Sequence, residues 1–175
     1  MERPVDGRPR VAISSCLLGE PVRYDGGHKR DLTVTELLAV HFEWVPVCPE
    51  VDVGMGTPRE PIELRRTAAG VRLVGTGSGR DWTDRMAAYA RRRVAELAAL
   101  GIHGYILKSG SPSCGLEGVP IHDPRGAPGE NGAGAFARLL RAQLRSLPIE
   151  EETRLADEHL RHRFIVRVYA RLLDR

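Results

Sequence analysis

Three cysteines stand at the same kind of place in this sequence, each where an apolar, strand-like run breaks into a turn. Cys16 closes the run from Val11, Cys48 closes the run from Phe42, and Cys114 follows Tyr105 to Lys108 through the turn Ser109-Gly110-Ser111-Pro112-Ser113. In open α/β sheets the carboxyl ends of the strands form the rim where ligands bind, so thiols placed there converge although they are distant in sequence. Thiolates are soft ligands, and three are an incomplete set for structural zinc or a fully ligated iron–sulfur cluster, which take four protein ligands. The shortfall has a use. A cubane cluster held by three cysteines keeps one iron without a protein ligand, able to act as a Lewis acid towards a substrate's sulfur. The commonplace alternative is that each cysteine is a small buried hydrophobe. The contexts Cys48-Pro49-Glu50 and Ser111-Pro112-Ser113-Cys114-Gly115 are turns, which rarely build core.

To bring such residues together the chain must supply neighbouring strands. Val11 to Ser14 reads as a short buried strand that runs into a turn-rich stretch, Gly19 to Lys29. Thr33 or Thr35 is expected to cap a short helix through Leu37 and Leu38. Phe42 to Val47 is a second strand, with Pro46 pointing to an edge or an irregular end. A Gly/Pro-rich loop from Pro49 to Pro61 leads to a hairpin of Ile62-Glu63-Leu64 and Val71 to Val74 around Ala69-Gly70. Trp82, Met86, Tyr89, Ala90, Val94 and Leu97 share one face of a helix from about Asp81 to Leu100, ended by Gly101. Tyr105 to Leu107 is the next buried strand, and Gly126 to Gly134 reads as a flexible loop. Phe136, Leu139, Leu140 and Leu144 mark another amphipathic helix. Asp157 caps a last one through Leu160, Phe164, Ile165, Val168 and Leu172. Alternating strands and helices predict an α/β fold: one mainly parallel sheet flanked by helices, a Rossmann-like three-layer sandwich with a C-terminal helix. Gly75-Thr76-Gly77-Ser78-Gly79 lacks the spacing of a dinucleotide-binding loop and reads as a mobile loop.

The bulk properties narrow the classes of function. A chain of 175 residues suits one domain, which buries roughly 70% of its unfolded surface without disulfide staples. The net charge of +3 invites a nucleic-acid reading. However, the arginines are interleaved with acids, Arg91-Arg92-Arg93 suits the outer face of a helix, and no basic run carries stacking aromatics. No apolar run approaches the ~20 residues that cross a bilayer. The first ten residues, MERPVDGRPR, hold no apolar leader, so the expected compartment is a reducing cytoplasm, in keeping with a low, odd cysteine count. His28 reads as an exposed turn residue, His103 and His122 lack a partner at ligand spacing, and no histidine is assigned to a metal.

Several blocks then speak together. Ile13-Ser14-Ser15-Cys16-Leu17-Leu18-Gly19, Val22-Arg23-Tyr24-Asp25-Gly26, Cys48-Pro49-Glu50-Val51, Gly56-Thr57-Pro58-Arg59-Glu60-Pro61 and Leu107-Lys108-Ser109-Gly110-Ser111-Pro112-Ser113-Cys114-Gly115 resemble the family known as domain of unknown function 523, whose characterised members are thiouracil desulfidases. The resemblance covers roughly Pro9 to Leu144. It implies a 4Fe-4S cluster bound by Cys16, Cys48 and Cys114, with the fourth iron open to the sulfur of a thiolated pyrimidine such as 2-thiouracil. It also implies that Glu50 and Ser111 are the catalytic pair. Glu50 as general base would activate water and Ser111 would donate a hydrogen bond or relay a proton, in a hydrolytic, non-redox release of sulfide. Tyr24, Asp25 and Lys108 are further candidates for substrate binding. Asp25, in Tyr-Asp-Gly-Gly, is more often a turn former, and Lys108 could set positive charge near an anionic cluster or substrate or be a simple surface lysine.

These readings divide the chain into a cluster-binding domain, residues 9–146, and a linker and helix, residues 147–175. The stretch from Leu147 to Leu155 resembles the junction of longer two-domain relatives, as does Asp52-Val53-Gly54-Met55-Gly56, so another thiolated base or a thioamide is an alternative substrate. The apolar face of the last helix must pack on its own sheet or form a homodimer. Two competing functions stay open: a persulfide sulfurtransferase with Cys114 as nucleophile, and a non-catalytic iron–sulfur sensing or accessory module.

Overall fold

The computed structural model describes residues 7–174; of the stretch MERPVDGRPR, Met1 to Asp6 lie outside the described residues. In chain order the strands are β1 (Arg10–Ser14), β2 (Glu43–Val47), β3 (Ile62–Thr67), β4 (Gly70–Gly75), β5 (Gly104–Leu107), β6 (Val119–His122), β7 (Pro128–Gly132) and β8 (Ile149–Glu151). The helices are α1 (Pro49–Asp52), α2 (Thr83–Leu100), α3 (Ala135–Gln143) and α4 (Glu158–Leu173), with a 3₁₀ turn at Ser15–Leu18 and a π-helical segment at Thr33–Leu38.

Strands β2, β1, β5 and β8 lie side by side in that order and every pair is parallel, with Val11 opposite Trp44 and Ala12 opposite Tyr105. A parallel sheet is covered on both faces, and its strands therefore read as continuous apolar runs. Successive residues alternate between two cores. Val11, Ile13 and Ile106 face one built from Leu17, Val34, Leu38, Phe42, Phe164 and Val168. Ala12, Tyr105 and Leu107 face another that holds Met86, Tyr89, Val94 and Leu97 of α2 and Phe136 and Leu140 of α3. This is the expected α/β fold with helices on both faces. β2 lies at the sheet edge, where its Pro46 has no further strand to pair with.

The second core also receives Ile62, Leu64, Leu73, Val119 and Ile121 from a further four-stranded sheet of order β4-β3-β6-β7. Its β3–β4 hairpin is the expected one, with Leu64 opposite Leu73. Three details depart from expectation. Residues 128–132, within the stretch read as a flexible loop, pair as β7 with β6, and the segment Thr33–Leu38 takes its cap from Asp31, whose Oδ1 accepts the Val34 N–H at 2.9 Å. The loop around Gly77 is also tied down, since Glu60 Oε2 accepts the Gly77 and Ser78 N–H groups at 2.9 and 2.8 Å.

Helix α2 ends as read, at a left-handed Gly101 with φ 77°. Helix α4 docks on its own sheet: Phe164 meets Phe42 edge to face with centroids 6.0 Å apart, and a Cβ on Gly104 of β5 would lie 2.8 Å from Val168 Cγ2. Among the described residues no helix is long and apolar enough to cross a membrane.

Candidate active site

Sheet order explains why residues far apart in sequence meet. β2, β1 and β5 are neighbours and all run the same way, so Cys48 after β2, Cys16 after β1 and the Cys114 loop after β5 emerge at one edge. All three cysteines are free and all line one cavity of about 330 Å³, together with Glu50, Ser111, Tyr24 and Lys108. Burial pushes the Cys16 thiol up from 9.0 to about 11, with Cys48 adding to it. Cys48 is raised by burial as well, and Cys114 is raised well above 9.0 by burial and then by the carboxylate of Glu50. Among the described residues no three His, Cys, Asp or Glu side chains are gathered tightly enough for a single metal ion. The thiols surround a space larger than one ion.

Glu50 is held from both sides. Pro49 opens the short helix α1 at a position where its missing N–H is no loss, and Arg59, its side chain only 6% exposed, grips the Glu50 carboxylate. Arg59 Nε and Nη2 both reach Oε2, at 3.1 and 2.6 Å, while Nη1 and Nη2 also donate to the carbonyls of Gly56 and Val22 at 2.8 and 2.9 Å. Oε1 is left for Ser111, whose Oγ lies 3.4 Å away. That Oγ already accepts the N–H groups of Ser113 at 3.2 Å and Cys114 at 3.1 Å. A hydroxyl has two acceptor sites and one proton, so the Ser111 proton is directed at Glu50. The base of α1 is fixed in turn by a hydrogen bond from the Tyr89 hydroxyl to Asp52, and burial followed by Asp52 raises that phenol far above its ordinary value.

The other candidates divide. Tyr24 is 42% exposed at the cavity wall, with the Arg23 guanidinium 5.2 Å from its ring centroid. Asp25 is not on that wall. It closes its own turn by accepting the Gly27 N–H at 2.9 Å, and that bond, with Arg23, holds its carboxyl below the usual range. Lys108 lines the cavity, yet its ammonium donates to Ser109 O at 2.8 Å, Ser109 Oγ at 2.9 Å and Glu152 Oε1 at 2.5 Å, which uses all three of its protons. His28 and His103 accept the N–H groups of Arg30 and Arg10, and His122 lies by Glu63.

Sequence reading did not single out Arg59, Ser14, Ser15, Arg23 or Lys29 as site residues, although all line the cavity. Arg59 left a signal, for it sits in the block Gly56 to Pro61 that carries part of the resemblance.

Known proteins share this arrangement of chain. The protein YbbK of Bacillus subtilis (strain 168) is 32% identical over 136 residues, which cover 75% of this chain and 89% of that protein. A solved structure described as the [4Fe-4S]-dependent thiouracil desulfidase TudS superposes with a TM-score of 0.67 at 34% identity, over 85% of this chain and 94% of that one. The profile of the 2-thiouracil desulfurase family matches residues 11–152, from the start of the central strand to the glutamate that holds Lys108. With most of its length matched and the fold shared, this chain belongs to the 2-thiouracil desulfurase family.

Proposed function

We propose that this protein is a desulfidase that exchanges the sulfur of a thiolated pyrimidine such as 2-thiouracil for oxygen and releases sulfide. The observation that carries this reading is the meeting of Glu50 and Ser111 with three free thiols around one cavity. The donors fit a 4Fe-4S cluster: they are three soft, free thiols that line one cavity of about 330 Å³. Cys16, Cys48 and Cys114 would hold it. When bound, the cluster supplies a Lewis-acidic iron without a protein ligand, which suits a soft sulfur and withdraws electron density from the thiocarbonyl carbon. The likeness to a [4Fe-4S]-dependent thiouracil desulfidase supports the same assignment.

The protein's own groups do the remaining work. Glu50, anchored by Arg59 through Oε2, offers Oε1 as the base that takes a proton from water as it attacks that carbon. Ser111 directs its proton into the same space and can relay it or donate to developing charge. Thiocarbonyl and water give carbonyl and hydrogen sulfide, so no net electron passes. Val22, Val47 and Ile62 give the cavity an apolar wall against which a flat base can lie.

A persulfide route through Cys114 is disfavoured by the site, because a reactive thiol needs exposure, whereas Cys114 is only 5% exposed. The test is an anaerobic assay of uracil and sulfide formed from 2-thiouracil by reconstituted protein. Equal amounts of both, with Glu50→Gln slower by on the order of 10²-fold or more, are expected for a lost general base. Full activity in Glu50→Gln would overturn the mechanism, and a cluster-loaded protein that releases no sulfide would overturn the substrate.

A further inference from the structure

Glu151, the last residue of β8, and Glu152, just beyond it, grip the two ends of the loop that carries Ser111 and Cys114. At the near end, Glu152 Oε2 accepts the Ser109 N–H at 2.7 Å, and Oε1 accepts the Ser109 hydroxyl at 2.7 Å and the Lys108 ammonium at 2.5 Å. Lys108 returns to the Ser109 carbonyl at 2.8 Å, so the backbone of Ser109 is held at both its N–H and its C=O. At the far end, Glu151 Oε1 accepts the Leu116 N–H at 2.6 Å. Glu152 itself is 5% exposed and Glu151 9% exposed. A carboxylate this far out of water carries a desolvation penalty that only paired, hydrogen-bonded partners offset, and every partner here belongs to this one loop or to Lys108 at its root.

We infer that Glu152 is a positioning residue of the active site, which sets Ser111 and Cys114 through its hold on Ser109 and Lys108. Glu152 is not among the residues that line the cavity, and the inference rests on the reading of Ser111 and Cys114 as site residues. The link is short. Ser109 is two residues from Ser111, whose hydroxyl fixes the N–H groups of Ser113 and Cys114. The consequence for organisation is that residues beyond 146, set apart from the cluster-binding part by sequence reading, supply a strand to the sheet and a clamp to the site. Lys108 thereby acts as a strut rather than as a hand for substrate.

Glu152→Gln tests the inference sharply, because it keeps size while turning one end of the clamp from acceptor to donor in front of the Lys108 ammonium. Glu150→Gln is the control, as Glu150 lies in β8 two residues before Glu152 and pairs with Arg154 at 2.9 Å rather than with the loop backbone. Two readouts are taken on the full chain. Amide hydrogen exchange is expected to speed up tenfold or more at residues 109–116 in Glu152→Gln, with the α2 amides unchanged, and not in Glu150→Gln. In steady-state assays kcat is expected to fall on the order of 10²-fold with KM altered less than threefold, the signature of misplaced reacting groups. If Glu152→Gln does not fold, Lys108→Met removes the other partner and is expected to give the same local exchange. Unchanged exchange across 109–116 overturns the inference whether or not the protein proves to be a desulfidase, whereas loosened exchange with no sulfide release by the wild type would count against the functional reading alone.

Discussion

The Arg59 guanidinium holds one oxygen of the Glu50 carboxylate, at 3.1 and 2.6 Å, and leaves the other facing the Ser111 hydroxyl at 3.4 Å. Two N–H groups on one oxygen fix the direction in which the free oxygen points, which a point charge on a flexible stem cannot do. In the proposed mechanism this fixes the direction from which Glu50 would take a proton from water.

Arg59→Lys is therefore expected to lower kcat strongly, in the range of 10- to 100-fold, although the charge is kept. Arg59→Ala leaves a mostly buried carboxylate unpaired and is expected to cost about 3 kcal/mol of stability. Urea unfolding of both variants beside their kinetics checks the pair. Equal kcat in Arg59→Lys and wild type would show that charge alone suffices.

Gly134 makes a prediction outside the cavity. A Cβ there would lie 2.5 Å from the backbone C and O of Ser113 and 2.9 Å from Cys114 N, and backbone cannot move aside as a side chain can. Gly134→Ala is expected to push the Cys114 loop away from the other cysteines. The predicted result is a stability loss of about 1–3 kcal/mol and weaker retention of iron, read as iron per chain after gel filtration.

The way the chain wrote this site into its sequence is uneven. The strand-to-turn position of each cysteine was legible because strands covered on both faces read as apolar runs that stop at a turn, and the face of α2 and the β3–β4 hairpin because burial imposes periods of 3.6 and 2 on the residues concerned. β7 was not. Pro128-Gly129-Glu130-Asn131-Gly132 has no strand-forming residue and pairs only because β6 lies beside it. β8 is three residues long and reads as an acidic linker until β5 pairs with it. The grip of Glu152 on Ser109 spans 43 positions, and Arg59 reaches Val22 across 37. No local pattern carries such pairs, and so the catalytic candidates were readable while the residues that aim them were not.

Asp157 gives a pH-dependent prediction. Its carboxylate caps α4 by accepting the Leu160 N–H at 3.0 Å, and that bond holds its pKa below the ordinary 3.8. A depressed folded pKa stabilises the protein above the unfolded value, and the contribution is lost as pH falls through the folded one. Asp157→Ala should then melt below the wild type at pH 7, with the gap closing as pH drops below 3.8. A gap that stays constant with pH would show that the carboxylate is not what caps the helix.

Tyr89→Phe removes the hydroxyl that ties α2 to Asp52 beneath Glu50. A bond to a charged acceptor is worth about 1.5–3 kcal/mol, and a loss of that size in urea unfolding is expected. The measurement to make beside it is kcat, which should fall by less than in Arg59→Lys because Glu50 keeps its guanidinium.

The most direct test of the central claim is anaerobic reconstitution with iron and sulfide, followed by counting iron per chain in the wild type and in Cys16→Ser, Cys48→Ser and Cys114→Ser. About four irons per chain in the wild type, with the cluster and sulfide release from 2-thiouracil lost in each of the three variants, is the predicted result. Activity that survives without iron and depends on a single cysteine would contradict it.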